Sequence, residues 1–237
     1  MEAADETVIE LIVLDRPNPI TGTKADGFTT DTASLFRFGS YAKVPVIHCL
    51  TMGELATFYN EEGLLRGGQK VKLSVVPMRG WKRSMWYDQT GLSWSKPSPN
   101  LLTFQSLLAY AGTCLFEATN LSEGRGSDKP FEYVGAEWLD NTGAVKLLNV
   151  IGLSGVTFEP VTFTPVQKAF HGKPPKLTGV KLNGIYAHVT DRDTFEPYRT
   201  GVAMLWAVNK LHPDKLVWND PVIERLAATS RLKTMIT

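Results

Sequence analysis

The fold is indicated first by the stretch Ile9-Glu10-Leu11-Ile12-Val13-Leu14-Asp15-Arg16-Pro17-Asn18-Pro19. Its first six residues form an apolar run broken only by a glutamate, which is typical of a strand buried in a parallel sheet. The two prolines then exclude helix and fix an extended turn. In open α/β sheets, ligands bind beyond the carboxyl ends of the strands, so Asp15, Arg16 and Asn18 are candidate substrate-binding residues. The alternative is a proline-rich turn in which Asp15 caps backbone amides.

The elements after this strand predict that strands and helices alternate. Thr51 and Glu54 form a capping-box pattern that opens a helix from Glu54 to Glu61. Val71 to Val76 alternates apolar with polar side chains and predicts a second strand. Thr103 begins a further helix that runs through Tyr110. The first part of the chain is therefore expected to be an α/β domain with a parallel sheet.

The character of the sequence changes after Asp140-Asn141-Thr142-Gly143, which divides the chain into predicted domains 1–140 and 141–237. Residues 168–176 form a loop rich in lysine and proline. The remaining elements of the second part are helices over Ala144–Ile151 and Thr200–Leu211, strands over Val156–Phe163 and Leu182–Val189, and a last helix that starts at Asp220. This set predicts a smaller α+β domain.

Composition excludes several classes of protein. The chain has 237 residues, and 25 basic against 24 acidic side chains give a net charge of +1, which does not favour nucleic acid as a partner. No apolar run reaches the roughly 18 residues that a membrane span needs. The cysteines and histidines show no zinc-site spacing, and no Gly-x-Gly-x-x-Gly follows a strand, so we expect neither a metal nor a dinucleotide cofactor.

A second aromatic and basic stretch runs from Met78 to Tyr87 and contains Trp81 and Trp86. Flat aromatic rings pack well on the apolar faces of sugars and peptides, so these residues could form a wall of a binding site. The alternative is that they are ordinary core residues. With a near-neutral chain, a nucleic-acid patch is disfavoured.

The strongest candidate for a functional site is the segment from Gly112 to Gly126. It combines Glu117, Asn120, Glu123 and Arg125 with hydroxyl side chains and glycines, after an apolar helix. Paired carboxylates, an amide and an arginine suit a polyhydroxylated ligand, and the glycines would let that ligand approach the backbone. The alternative is a solvated turn whose charges pair with each other.

The chain resembles the NamZ family of exo-β-N-acetylmuramidases, which was long catalogued as a domain of unknown function. The motifs that carry the resemblance are Asp15 to Pro19, Met52-Gly53-Glu54-Leu55-Ala56, Trp81 to Trp86, Pro97-Ser98-Pro99-Asn100, Gly112 to Gly126, Val189 to Arg192 and Arg199-Thr200-Gly201. The resemblance implies a Rossmann-like catalytic domain followed by a smaller α+β domain. It also implies removal of terminal N-acetylmuramic acid from the non-reducing end of peptidoglycan fragments, and an extracytoplasmic or periplasmic location.

The resemblance directs attention to two carboxylates. Glycoside hydrolysis usually needs an acid and a second carboxylate, and Glu117 and Glu123 are the candidate catalytic pair in this chain. Glu117 follows Leu115 and Phe116, so apolar surroundings are expected to raise its pKa toward that of a catalytic acid, whereas Glu123 lies beside Arg125 and is expected to bind or orient the substrate. Asn100, Asn120 and Arg125 are expected to hold the acetamido group and lactyl carboxylate of muramic acid.

The chain also departs from the family pattern. Family members carry a further N-terminal stretch with a Gly-Pro-Glu-His-Gly-like segment that is thought to bear a catalytic acid, and many carry a secretion signal. We expect this chain to be shortened at both ends relative to them. The alternative function is therefore a non-catalytic module that binds peptidoglycan or muropeptides, or an inactive truncated product.

Overall fold

The structure is a computed structural model that describes residues 1–31, 41, 43–168 and 174–237. By its internal contacts the chain forms two compact units. Unit 1 comprises Met1–Ala25 and Ile47–Ser93, and unit 2 comprises Asp26–Val46 and Trp94–Thr237. The domain boundary predicted at residue 140 thus lies inside unit 2. Of the loop predicted over residues 168–176, residues 169–173 lie outside the described residues.

Unit 1 is built on a parallel pair of strands. Its elements are α1 (Glu2–Glu6), β1 (Leu11–Leu14), α2 (Met52–Glu61) and β4 (Leu73–Val76). The strands β1 and β4 pair in parallel with Leu11 opposite Leu73, and α2 packs against both. The predicted parallel pairing is therefore confirmed. The predicted capping box is confirmed as well, since Thr51 accepts from the Glu54 amide and the Glu54 carboxylate accepts from the Thr51 amide.

The predicted burial of the first strand is wrong for one of its faces. Ile12 is 59% exposed, Leu14 69% and Val76, opposite Leu14, 50%. Leu11 and Val13 point the other way and are partly covered. The reason is that side chains alternate between the faces of a strand, and the described elements cover only one face of this pair.

Unit 2 contains the larger core. Its strands are β2 (Asp26–Thr29), paired with β3 (Pro45–Ile47), and β5 (Tyr133–Ala136), β6 (Val156–Phe163) and β7 (Leu182–Val189); its helices are α3 (Phe104–Thr113), α4 (Asn141–Ile151), α5 (Pro197–Leu211), α6 (Asp220–Ala227) and α7 (Leu232–Ile236). The sequence predicted β6 and β7 with these bounds. It did not predict β5, a four-residue strand that is half glycine and alanine and therefore carries little strand signal.

The sheet of unit 2 has the order β5-β7-β6 and is antiparallel throughout. The inner face carries Val134, Phe158, Ile185 and Ala187, which are buried, and α3 and α4 contact this sheet. The exposed Thr157 and Glu159 alternate with Phe158 along β6. This alternation of apolar and polar side chains is what places one face of the sheet in the core.

The helices α3 and α5 approach each other unusually closely. A Cβ on Gly112 would overlap the carbonyl oxygen of Pro197, and a Cβ on Gly201 would overlap that of Gly112. Only glycine allows two helix backbones to come so near, because any side chain would separate them. This crossing fixes where α3 ends, and the candidate functional segment begins there.

The chain is a mixed α/β protein with small parallel and antiparallel sheets. The parallel pairing of β1 with β4 agrees with an α/β first part, while a Rossmann-like arrangement stays a prediction. No helix in the described ranges is both long and apolar enough to cross a membrane.

Candidate functional site

The segment from Gly112 to Gly126 is held in place at several points of unit 2. The helix α3 ends at Thr113 and continues as a 3₁₀ turn over Cys114–Ala118, which carries Glu117. Beyond it, Thr119 forms a β-bridge with Trp218 and Ser122 forms one with Gly135. The segment is thus fixed by backbone hydrogen bonds rather than being an open loop.

The glycines of this segment do not leave room for a ligand. A Cβ on Gly124 would come within 2.6 Å of the Tyr133 carbonyl oxygen, and one on Gly126 would come within 2.6 Å of the Val166 carbonyl oxygen. Gly112 packs against α5. The expectation that these glycines admit a ligand to the backbone is therefore wrong, because the protein's own backbone occupies that space.

Four charged side chains form one cluster: Glu117, Glu123, Arg125 and Lys176. Arg125 donates to Glu117 Oε1 at 2.9 Å, and its Nε lies 3.4 Å from Glu123 Oε1. Lys176 Nζ lies 2.9 Å from Glu123 Oε2. Glu123 is 2% exposed, so its charge is removed from water and depends on these two cations. The charges do pair with each other, as the alternative interpretation of the sequence held, but they do so around a buried carboxylate rather than in a solvated turn.

Glu117 has the more accessible carboxyl group of the two, with 27% of its side chain exposed. Burial raises the pKa of Glu117, and the nearby Arg125 charge opposes that rise. The predicted direction of the pKa shift is therefore confirmed. Burial also raises the pKa values of Tyr110 and Cys114, which are electrostatically coupled to Glu117, to about 12, so both are neutral at ordinary pH.

An aromatic wall supports the arginine. Phe131 is buried and adopts a left-handed backbone conformation with φ of 66°. Its ring packs edge-on against Tyr110 at 4.9 Å between centroids, and the Arg125 guanidinium lies 5.3 Å above it. Backbone strain of this kind in a non-glycine residue persists only where the surroundings enforce it. Here the Glu123 carbonyl accepts from the Phe131 amide, and Thr113 donates to the Phe131 carbonyl.

Asn120 lines an open cleft of about 480 Å³. Its side-chain amide donates to the Lys215 carbonyl at 3.0 Å and accepts from the Val217 amide at 3.0 Å. The oxygen and the nitrogen of this side-chain amide are therefore both held by backbone hydrogen bonds. The cleft is also lined by Trp218 and Asp220, which offer an aromatic surface and a carboxylate to a ligand.

Asn100 precedes α3 and has an unusual environment. Its Oδ1 is buried and has no hydrogen-bond partner among the residues that the structure describes. A buried acceptor without a donor is costly, so a ligand N–H that reached it would be stabilised. Nothing in the structure joins Asn100 to the charge cluster, and its substrate-binding role stays a prediction.

The candidates of unit 1 have structural partners. Asp15 accepts from the Gly53 amide at 2.7 Å and from the Thr51 hydroxyl at 3.0 Å, so its carboxylate caps the start of α2. The buried Asn18 donates to the Leu50 carbonyl, and Arg16 is exposed. The capping alternative for Asp15 is thus what the structure contains. The substrate-binding roles of Asp15, Arg16 and Asn18 stay predictions.

One member of the cluster, Lys176, could not be predicted from the sequence. Lys176 was predicted only as part of a loop rich in lysine and proline, 53 residues beyond its carboxylate partner Glu123. No local pattern links residues so far apart.

The aromatic residue Trp86 is buried, which agrees with the core alternative for that side chain, while Trp81 packs against Arg83.

Family models match almost the whole chain. The model described as "Exo-beta-N-acetylmuramidase NamZ, N-terminal" matches residues 1–105, and "Exo-beta-N-acetylmuramidase NamZ, C-terminal" matches residues 108–237. The segment that carries Glu117, Glu123 and Arg125, together with Lys176, falls in the C-terminal match. The two residues between the matches, 106 and 107, lie within α3.

A curated relative and two crystal structures are similar over the same length. The "Peptidoglycan beta-N-acetylmuramidase NamZ" of Bacillus subtilis (strain 168) is 38% identical over 237 residues, which are 100% of this chain and 54% of that protein. A DUF1343 family protein of Bacteroides fragilis is 30% identical with a TM-score of 0.89, covering 99% of this chain and 60% of that one. Another from the same organism, 24% identical with a TM-score of 0.75 over 100% of this chain and 60% of that one, shares the fold. The chain thus spans about half the length of the curated relative, and the resemblance that its motifs suggested is confirmed: it belongs to the NamZ family.

Proposed function

We propose that this chain takes part in glycoside hydrolysis of the muramidase type, in which terminal N-acetylmuramic acid is removed from the non-reducing end of peptidoglycan fragments. Peptidoglycan fragments as substrates also favour an extracytoplasmic or periplasmic location. The proposal takes its reaction from the name of the Bacillus subtilis relative. The observation that carries it is Glu117, a partly buried carboxyl group with a raised pKa, on a rigid turn.

Glu117 is the proposed catalytic acid. A carboxyl group that is still protonated at the working pH can protonate the leaving oxygen of a glycosidic bond, and partial burial is the usual way to achieve this. Arg125 donates to the same carboxylate once the proton has gone, which stabilises the product state. Asn120 follows Glu117 by three residues in the chain and lines an open cleft, whose Trp218 suits the apolar face of a sugar ring.

A second catalytic carboxylate would have to reach the substrate, and we propose a different role for Glu123. It is almost completely buried and is paired with Arg125 and Lys176, so it orients the arginine rather than touching a substrate. Arg125 remains the proposed partner of the lactyl carboxylate because, of the two cations described in the cluster, it is the one that donates to the partly exposed Glu117.

A hydrolysis assay on a chromogenic N-acetylmuramide tests the proposal. Glu117→Gln keeps the size of the side chain but removes the acid, so turnover should fall by about 10²–10⁴-fold. The exposed Glu159→Gln, on β6, is the matched control and should behave as the unmodified chain. Near-normal kcat in Glu117→Gln would show that this carboxyl is not catalytic.

A second candidate function, muropeptide binding without catalysis, is favoured by one specific observation. Glycoside hydrolysis usually needs two carboxylates that reach the substrate. In the described cluster Glu117 is the one carboxylate with substantial exposure, since Glu123 is enclosed. Calorimetric or NMR titration with N-acetylmuramic acid and N-acetylglucosamine separates the two functions, since these sugars differ by the lactyl carboxylate. A binding module would show no turnover but would prefer N-acetylmuramic acid to N-acetylglucosamine, with a Kd of about 1 mM. Equal binding of the two sugars would remove Arg125 as the lactyl partner.

A further inference from the structure

The ammonium group of Lys176 is enclosed by backbone oxygens. Its Nζ donates to the carbonyls of Phe116 at 2.8 Å, Thr119 at 2.9 Å and Leu121 at 2.8 Å. These carbonyls belong to the end of the 3₁₀ turn and to the bridge that follows it. One cation therefore satisfies three oxygens along the segment that carries Glu117.

The same ammonium also neutralises the enclosed carboxylate. Lys176 Nζ is 2.9 Å from Glu123 Oε2, and Arg125 approaches the other oxygen of Glu123. Arg125 in turn donates to Glu117. Lys176 is thus connected to the Glu117 carboxyl by two routes: through the backbone of the segment, and through the chain of charges Glu123, Arg125 and Glu117.

We propose that Lys176 is a positioning residue, which holds the segment 116–121 in the shape that presents the Glu117 carboxyl to Arg125. It touches the backbone around Glu117 and does not donate to the Glu117 carboxylate. The catalytic meaning of this role rests on the proposed function of Glu117. The positioning itself is a property of the structure and can be measured without any substrate.

The geometry selects lysine over arginine. Three carbonyls accept from one nitrogen at 2.8–2.9 Å, and a carboxylate oxygen lies 2.9 Å from it. This suits a compact ammonium, whose three donors serve the carbonyls while its charge faces the carboxylate. A planar guanidinium spreads its donors over a wider fork and cannot direct them at the same point. Lys176→Arg should therefore fail to replace lysine even though it keeps the positive charge.

The test combines amide hydrogen exchange with titration of the Glu117 carboxyl by ¹³C NMR. In Lys176→Met, which keeps the length of the side chain, the amides of Thr119, Asn120 and Ser122 should exchange at least about tenfold faster, because local opening becomes easier. Glu117 should titrate at higher pH, since the Lys176 charge lowers its pKa. The exposed Lys181→Met, at the residue before β7, is the control and should change neither. A folded Lys176→Met with unchanged exchange and unchanged titration would overturn the proposal.

Two further measurements guard against a variant that does not fold. In the unmodified chain, the ammonium protons of Lys176 should exchange with water more slowly than those of Lys181, and equal rates would overturn the proposal. In Lys176→Ala, added n-propylammonium replaces the missing atoms and should restore slow amide exchange over 119–122. Tetramethylammonium, which has no N–H donor, should not. If hydrolysis and sugar binding both failed, the proposed function would fall while these results stood unchanged.

Discussion

Two glutamates six residues apart occupy opposite environments. Glu117 keeps part of its side chain in contact with solvent and has a raised pKa, whereas Glu123 is enclosed between two cations. A partly exposed carboxyl with a raised pKa can exchange protons with a substrate. An enclosed carboxylate with two cationic partners can only hold other groups in place. The difference in position, not in residue type, separates the two roles.

Removing the charge of Glu123 should destabilise the fold. Glu123→Gln leaves Arg125 and Lys176 without their shared anion, and breaking a buried ion pair is strongly unfavourable. Both cations are about one-third exposed, which reduces the cost, so we expect a loss of roughly 2–4 kcal/mol in the free energy of unfolding. Urea denaturation measures it. Glu159→Gln is the control, and a loss no larger than that of the control would contradict the described pairing.

The stability of the fold should also fall on acidification through a histidine. His212 Nε2 accepts from the Asp140 amide at 2.9 Å, and burial, helped by the Lys215 charge, lowers the pKa of His212 below its ordinary 6.5. The folded state therefore binds this proton less readily than the unfolded chain. The stabilisation is fully present above the ordinary pKa and is lost as pH falls through the lowered value.

The measurement is the thermal midpoint between about pH 8 and about pH 5, where histidine changes charge. His212→Gln keeps an acceptor oxygen but does not titrate, so its midpoint should fall less steeply with acid. His48, whose pKa burial also lowers, remains in that variant and accounts for part of the remaining slope. Exposed His188→Gln is the control. Identical slopes for His212→Gln and the unmodified chain would refute the role of His212.

Between elements, the crossing of α3 with α5 is the contact that positions the candidate site. Gly112 lies in the last turn of α3, directly before the 3₁₀ turn that carries Glu117. Its neighbour across the crossing is the backbone of α5 at Pro197 and Gly201. A change in the distance between these helices would displace Glu117 relative to Arg125, because the turn continues α3 without a break.

Gly112→Ala should therefore be costly. The added methyl group overlaps backbone atoms of α5, which cannot rotate away as a side chain would, so we expect a loss of about 3 kcal/mol in the free energy of unfolding. Gly152→Ala is the matched control: Gly152 ends α4 in a left-handed conformation with nothing near its Cβ position. Its cost should be only about 1–2 kcal/mol. Similar losses in both variants, measured by urea denaturation, would contradict the close crossing.

At the scale of the molecule, the exposed apolar face of unit 1 is the feature that most affects behaviour in solution. Ile12, Leu14 and Val76 lie on one face of the β1–β4 pair, and Val8 and Ile9 precede β1 and are exposed as well. A two-stranded sheet is marginally stable by itself, and adjoining exposed apolar side chains favour association.

We accordingly expect the purified chain to bind a dye that reports apolar surface and to unfold at or below about 60 °C, within the usual range of mesophilic domains. Replacing both Ile12 and Leu14 with threonine should reduce dye binding without lowering the thermal midpoint, because these side chains have few contacts to lose. Val150→Thr, at an isolated exposed valine on α4, is the control and should leave dye binding unchanged. A sharp transition well above that temperature with no dye bound would contradict this prediction.

The sequence by itself determined the features that depend on near neighbours in the chain. The caps at Thr51 and Thr103 and the strands β1, β6 and β7 follow from capping patterns and from the order of apolar and polar residues over a short stretch. The long segment from Gly112 to Gly126 was distinctive enough to indicate the family. Only the tertiary structure decided which distant groups meet. It brought Lys176 to Glu123, filled the space beside Gly124 with backbone, and left one face of β1 exposed. The physical reason is that a charge or a glycine is placed by partners from other elements, and the local pattern of residues carries no record of them.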